Sequence, residues 1–328
     1  MTSARWFASR IVQMFVTFCL IVTFLFVLFR LMPGDITNLF LFQGASPEAV
    51  AAFEEKWGLN DPIHLQFIRY IENFLQLDMG QSLQVGTPVV EYTRMKLFNS
   101  FILIAPAITS AYVLGAGWGT ILGSTENERL ERYGISLAIF FGTIPSFFLG
   151  IMAVVVFSLT LGIFPSGGML RPETISMYSG APWWRPYLTA DFAWHYILPF
   201  SVILLRYSYI PTMLMTTSVQ EVRGQGFTFY HRITGLPKWR KLRRLGRHAS
   251  LPVITMYPLS MTRAIGGLVL VEVVFNWPGI GYALVQAVLV GDFPVVQFIF
   301  LLVAAFIILS NFTIDVVYGV IDPRVRLE

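Results

Sequence analysis

The chain has 328 residues, of which 55% are hydrophobic and 13% charged, with a formal net charge of +4. A soluble domain usually carries about twice that charged fraction, so a single soluble core is excluded and the bilayer is the expected solvent. The one cysteine, Cys19, lies in an apolar run, which excludes an intrachain disulfide, a cysteine zinc cluster and a redox pair.

Arg5 and Arg10 precede an uncharged run from Ile11 to Phe29. The run is much longer than a signal-peptide core and has no Ala-x-Ala site before Met32-Pro33-Gly34, which predicts a retained spanning helix. In lipid the backbone must satisfy its own hydrogen bonds, so helix is the economical form. Pro33 to Lys96 is polar. Ser46-Pro47-Glu48 offers a cap, a proline for the first helical position and an acid near the positive helix end; Gly58 offers a stop. Asp61-Pro62 repeats the start signal, with Leu65, Ile68 and Leu75 forming one apolar face up to Gly80. This segment reads as an extramembrane cap packing on itself and as a landing surface for a binding protein, two compatible roles.

Leu97 to Gly123 is uncharged and long enough for one tilted span, with Pro106 as a kink and Gly115, Gly117 and Gly119 allowing a neighbouring helix close. After the short charged turn Glu126–Arg132 comes a third span near Gly134–Leu161, with Pro145 inside it and a re-entry at Phe164-Pro-Ser-Gly-Gly168. The Pro-, Trp- and Tyr-rich stretch from Arg171 to Asp191 suits the headgroup boundary. The fourth span runs from about Phe192 to Val219, the fifth from about Leu251 to Phe275, and the sixth from Phe293 to Ile321 with a late break at Asp315.

Between the fourth and fifth spans lies a basic island. Arg223, Arg232, Lys238, Arg240, Lys241, Arg243, Arg244 and Arg247 occur with no acid between Glu221 and Glu272. Gly235 and Pro237 give a helix-stop signal, and Pro237 then opens a second helix whose apolar face would be Trp239, Leu242 and Leu245. Six spans put both termini on one side. Fourteen Lys and Arg fall on the side of the basic island and six on the other, which predicts a cytoplasmic island and cytoplasmic termini.

No Gly-x4-Gly-Lys-Ser/Thr, His-Glu-x-x-His or Gly-x-Ser-x-Gly occurs, and the four histidines have no ligand-like spacing. An enzyme reading is poor, and a metal site and a nucleotide site of the chain's own are not expected. Arg206 and Arg263, each about thirteen residues into its span, and Glu272 near the end of the fifth are different. A charge within a span costs roughly 2.5–3.5 kcal/mol on insertion scales, so it faces protein or water and has a purpose. These three are candidates for a substrate path; the alternative is pairing with a partner-subunit charge or a carbonyl.

From end to end the chain also carries Phe29-Arg-Leu-Met-Pro-Gly-Asp35, Gly58-Leu-Asn-Asp-Pro62, Leu77-Asp-Met-Gly-Gln-Ser-Leu83, Ile144-Pro-Ser-Phe147, Phe164-Pro-Ser-Gly-Gly168, Val271-Glu-Val-Val-Phe-Asn-Trp-Pro-Gly-Ile-Gly281, Asp292-Phe-Pro-Val-Val-Gln297 and Asp322-Pro-Arg-Val-Arg326. In this order they resemble the permease subunits of ABC importers of the dipeptide/oligopeptide type. The resemblance implies an all-α integral membrane protein with six transmembrane helices and a helical external segment after the first span. Its parts would be residues 1–32 (N-terminus and first span), 33–96 (external segment) and 97–328 (permease core, coupling loop at 221–250). It implies a di- or oligopeptide cargo, although members of the family also move nickel and oligosaccharides. The implied partners are a second permease subunit, two cytoplasmic ATPase subunits that bind ATP and Mg, an external binding protein and the lipid bilayer, with no nucleic acid, in a prokaryotic plasma membrane. The coupling helix that docks on the ATPase would comprise Phe227, Phe229, Tyr230, His231, Arg232, Ile233, Thr234, Gly235, Leu236 and Pro237. Phe229, Tyr230 and His231 depart from the family's habit of small or acidic residues there. The rival class is a self-sufficient secondary transporter or channel; the absence of an internal repeat and of Asp/Glu relay residues argues against it.

Overall fold

The computed structural model describes residues 2–30, 51, 54–55, 57–223 and 237–321. Among these there is no strand, only one isolated bridge between Gln81 and Pro88. The helices are α1 (Thr2–Arg30), α2 (Ile63–Leu75), α3 (Val89–Ser124), α4 (Glu128–Thr143), α5 (Ser146–Ala153), α6 (Pro172–Met177), α7 (Ala190–Arg223), α8 (Lys238–Ala249), α9 (Leu251–Val274), α10 (Ile280–Val290) and α11 (Phe293–Ile321). By length and apolarity α1, α3, α7 and α11 each suffice to cross a membrane. There are six crossings if two bent pairs, α4 with α5 and its continuation, and the two halves of α9, each count as one. The protein is an all-α, multi-pass membrane protein.

The expected third span is not straight. Asn127 caps α4 by accepting hydrogen bonds from the Arg129 and Leu130 amides, at 3.0 and 3.2 Å. The helix stops at Ile144, whose extended backbone (φ −71°, ψ 131°) is what a following proline enforces. Beyond Pro145 the chain restarts as α5 and runs into a π-helical stretch, Val154–Thr160, and the two arms meet at 98°. The expected break at Asp315 is absent: α11 continues to Ile321, because one aspartate lowers helix propensity by only a few tenths of a kcal/mol.

The chain forms two compact units, residues 1–98 with 279–328, and residues 99–278. In the first, aromatic rings tie α1 to its neighbours. Phe26 meets Phe67 and Tyr70 of α2 at 5.2 and 5.6 Å between ring centres, and Phe29 meets Phe293 and Phe300 of α11. The helical residues ending at Gly58, and α2 and α10, close with one device. The residue after the helix takes a left-handed conformation and two amides turn back onto the last carbonyls. Gly58 (φ 59°) and Gly291 (φ 72°) supply it as glycines; Leu77 (φ 56°) supplies it at the expense of backbone strain, and the helix therefore ends at Leu75, five residues before Gly80.

In the second unit α3 and α7 approach at glycine distance. A Cβ on Gly115 would lie 2.7 Å from the Ser208 carbonyl oxygen, on Gly119 2.5 Å from that of Thr212, and on Gly123 2.6 Å from that of Thr216. The spacing of four is the small-residue seam of membrane helices, and Thr216 Oγ1 donates across it to the Gly119 carbonyl at 3.3 Å. Gly117 lies off the seam, with nothing within 4 Å of such a Cβ. Gly142 of α4 packs on Tyr209 of the same α7. Gly119→Leu is therefore expected to separate α3 from α7 and destabilise the detergent-solubilised protein by about 1–3 kcal/mol, read as thermal unfolding, whereas Gly117→Leu leaves it unchanged. Equal effects of the two would refute the seam.

Candidate functional site

The order of helix contacts in the second unit fixes where the intramembrane charges stand. Phe192 and Tyr196, at the start of α7, pack on Trp277 just beyond the end of α9, at 5.9 and 6.0 Å between ring centres. Met215, near the end of α7, lies 3.4 Å from where a Cβ on Gly246 of α8 would stand, and α8 leads through Ser250 into the start of α9. So α7 and α9 run antiparallel. Tyr207 and Ala264 line one small cavity together with Ser146, Gly267 and Leu268. Arg206 and Arg263 each adjoin in sequence a residue that lines this cavity, one from either helix.

Arg206 is half-buried with its guanidinium 5.8 Å from the Tyr207 ring centre, and Arg263 is exposed. Among the described residues neither forms an ion pair. Arg263 also adjoins a run of hydroxyls between α3 and α9. Thr109 Oγ1 and Tyr257 Oη are 2.8 Å apart, Tyr112 Oη and Ser260 Oγ 2.5 Å, and Tyr112 also donates to the Met256 carbonyl. Tyr112 and Ser260 are buried, while Thr109 is exposed. These hydroxyls were missed in the sequence because Thr, Ser and Tyr inside a span more often bond the nearest carbonyl than one another.

Glu272 is elsewhere. Its side chain has no exposure, and Ser100 Oγ donates to its Oε1 at 2.5 Å. Nine residues after the exposed Arg263, it looks inward and does not pair with it. It belongs to a buried polar knot built by the residues that follow it. Asn276 takes the left-handed position (φ 47°) that ends α9, with the Trp277 amide returning to the Glu272 carbonyl at 2.8 Å. That turn buries Trp277 completely and aims its Nε1–H at the Asn99 carbonyl, 3.0 Å away. Asn99 Nδ2 donates to the Pro278 carbonyl at 2.8 Å and its Oδ1 accepts from Tyr187 Oη at 2.6 Å. Burial raises the Tyr187 phenol above its ordinary pKa, which keeps it a donor at neutral pH. The Gly168 amide donates to the Phe275 carbonyl at 2.7 Å, and a Cβ on Gly167 would lie 2.8 Å from the same oxygen.

Two pairs of the quoted segments thus lock together. Phe164–Gly168 closes on the end of α9. In the other unit Ser82 Oγ of Leu77–Leu83 donates to the buried Asp292 Oδ2 at 2.5 Å, joined by the Gln84 amide at 3.3 Å. Neither junction was legible as a pairing. Only the polar pair Asn99-Ser100, two residues into an uncharged run, gave a signal.

Of the coupling residues, Phe227, Phe229, Tyr230, His231, Arg232, Ile233, Thr234, Gly235 and Leu236 lie outside the described residues. Pro237 stands one position earlier than expected, as the N-cap of α8. The apolar face of α8 also differs. Leu245 and Ala249 are buried, but Trp239 is 59% exposed with the Arg240 guanidinium 5.3 Å from its ring centre. Trp239 lies in the first turn, before α8 reaches its packing partners.

Comparison with known proteins adds the following. The family described as "Binding-protein-dependent transport system inner membrane component" matches residues 115–327, and its companion N-terminal family matches residues 3–96. The chain is 31% identical over 304 residues to the oligopeptide transport system permease protein AppB of Bacillus subtilis, covering 92% of each. It is 30% identical over 321 residues to the glutathione transport system permease protein GsiC of Salmonella paratyphi A, covering 98% of each. It is 31% identical over 326 residues to a putative peptide transport system permease protein of Brucella abortus, again covering 98% of each.

Removing the Asn99 side chain strips partners from Tyr187 and Pro278. Asn99→Ala is expected to cost about 1–3 kcal/mol in thermal or denaturant unfolding. In a double-mutant cycle with Tyr187→Phe the combined loss should be smaller than the sum. Strict additivity would show that the two do not act as one knot.

Proposed function

This chain belongs to the family of binding-protein-dependent transport system inner membrane components, and we propose that it is a permease subunit of an ATP-driven ABC importer for di- and oligopeptides. In this reading it forms the translocation path with a second permease subunit. Two cytoplasmic ATPase subunits bind and hydrolyse ATP, and an external binding protein delivers the cargo. Closure of the ATPases acts on residues 227–237 and rocks the spans between inward-open and outward-open states, a rigid-body switch. The basic island and both termini are cytoplasmic, and residues 33–96 are external.

The observation that carries the reading of the path is the pair Arg206 and Arg263. They sit on two antiparallel helices, each next to a residue that lines the cavity between those helices, and among the described residues they have no ion-pair partner. An intramembrane cation without a carboxylate is costly unless it meets water, cargo or another subunit. In a water-filled path the two would make the middle electropositive, suited to the free carboxylate of a passing peptide. The contact must stay hydrated and weak for the cargo to leave. Glu272, enclosed with Ser100, is proposed to hold the end of α9 in place and not to touch cargo.

Two tests follow from this reading. Arg206→Gln and Arg263→Gln are expected to preserve assembly and binding-protein-stimulated ATPase activity while slowing uptake of peptides with free C-termini, by roughly tenfold for a lost contact of about 1.4 kcal/mol; C-terminally amidated peptides are less affected. Equal slowing of both peptide classes would remove the carboxylate from the mechanism, and failure to assemble would make the arginines structural. For orientation, an impermeant thiol reagent outside intact cells is expected to label a cysteine placed at Gln84 or Ser179 and to miss one at Lys241 or Glu328; the reverse pattern inverts the topology.

A further inference from the structure

Helix α8 presents six cations, Lys238, Arg240, Lys241, Arg243, Arg244 and Arg247, within ten residues. Among the described residues none of them forms an ion pair, in contrast to the nearby Arg223, which binds Glu126 at 2.9 Å. Arg240 has its guanidinium 5.3 Å from the centre of the Trp239 ring. Three of the cations occupy the first turn, where the positive end of the helix dipole opposes them and where no acid offsets them. Among the described residues, then, no acid balances the charge of this helix.

Its position says what can balance it. Leu245 and Ala249 are buried against α7, and a Cβ on Gly246 would meet Thr120 at 3.3 Å and Met215 at 3.4 Å. Thr120 lies four residues, about 6 Å, before the end of α3, and Met215 eight residues, about 12 Å, before the end of α7. The C-terminal half of α8 is thus set beside the last turns of two spans and does not project away from them. Through Ser250 it runs directly into α9, whose first exposed apolar residues are Leu251 and Ile254. The first turn exposes Trp239, a side chain suited to the membrane–water boundary. A cluster of four to eight Lys and Arg immediately beside a spanning helix attracts anionic headgroups, each cation near the surface contributing about 1 kcal/mol.

We propose that the exposed face of α8 is a binding site for anionic phospholipid headgroups. The proposal goes beyond peptide transport and rests on the membrane reading above, but not on which side of the membrane the loop occupies. Headgroup phosphates would neutralise Arg243, Arg244 and Arg247 and hold α8 against the spans.

The test uses the full chain, purified with whatever subunits accompany it, in nanodiscs of phosphatidylcholine with or without phosphatidylglycerol. Lipid retained after gentle extraction is counted by native mass spectrometry. The wild type is expected to retain phosphatidylglycerol over phosphatidylcholine and to lose that preference as salt is raised. The paired Arg243→Gln, Arg244→Gln variant should weaken phosphatidylglycerol retention by roughly tenfold or more, and the paired Arg243→Lys, Arg244→Lys variant, which keeps the charge, should retain it. Should the glutamine pair fail to insert, the wild type decides: equal retention of the two lipids overturns the proposal. Unchanged phosphatidylglycerol retention in the inserted glutamine pair overturns it as well. If that variant also sheds companion subunits, the face docks protein instead.

Discussion

The distance between α3 and α7 governs the second unit. Helices in lipid gain no hydrophobic free energy by meeting each other, so association depends on close packing and on the few hydrogen bonds that closeness permits. Gly115, Gly119 and Gly123 let the two backbones approach until the α7 carbonyls leave no room for a Cβ. The consequences run along α7. It receives α4 through Gly142 and Tyr209, α9 through the cavity at Tyr207, and α8 through Met215. Widening the seam would displace at once the part of α7 that carries Arg206 and the surface that seats the basic helix.

Polar groups within this frame are handled in two opposite ways. At the end of α9, Glu272, Ser100, Asn99, Trp277 and Tyr187 are drawn into one buried network in which each described hydrogen bond satisfies a group otherwise costly to bury. A few turns earlier Arg263 remains exposed, close enough to the hydrogen-bonded Tyr112 for its charge to act on that phenol. The first arrangement fixes geometry, since each group specifies where the next must lie. The second leaves a charge available, which is what a path for hydrated cargo requires and what a structural core avoids.

Much of this was legible in the sequence because the bilayer restricts the answer to helix. The runs at Ile11–Phe29, Leu97–Gly123, Phe192–Val219, Leu251–Phe275 and Phe293–Ile321 all fall within observed helices or within one residue of their ends. Local chemistry also carried over where one residue decides the backbone, as at Pro145 and Gly58. What failed needed knowledge of the neighbour. The sequence shows three glycines at 115, 117 and 119, but only the seam with α7 separates those that matter from Gly117 and adds Gly123. Trp239 was placed on an apolar face by spacing, yet α8 meets α7 one to two turns later. The Asn99–Tyr187 and Ser82–Asp292 bonds join residues far apart in the chain, and no local pattern announces such partners.

The proposed transport cycle sets a mechanical requirement on α8. Residues 227–237, where the ATPases are proposed to act, are separated from α9 by this helix alone. A flexible linker there would absorb a displacement, whereas a continuous helix of twelve residues, about 18 Å long, transmits it. Ser250 alone separates α8 from α9, and Leu245, Gly246 and Ala249 bear on α3 and α7. In the proposed cycle, movement at Pro237 would be divided between rotating α9, which carries Arg263, and levering α7, which carries Arg206. Both arginines lie on helices that one short cationic helix engages directly. The two arginines proposed for the path and the proposed coupling end of the chain would thus be joined through packed helices, and anionic lipid bound to α8 would set how stiff that link is.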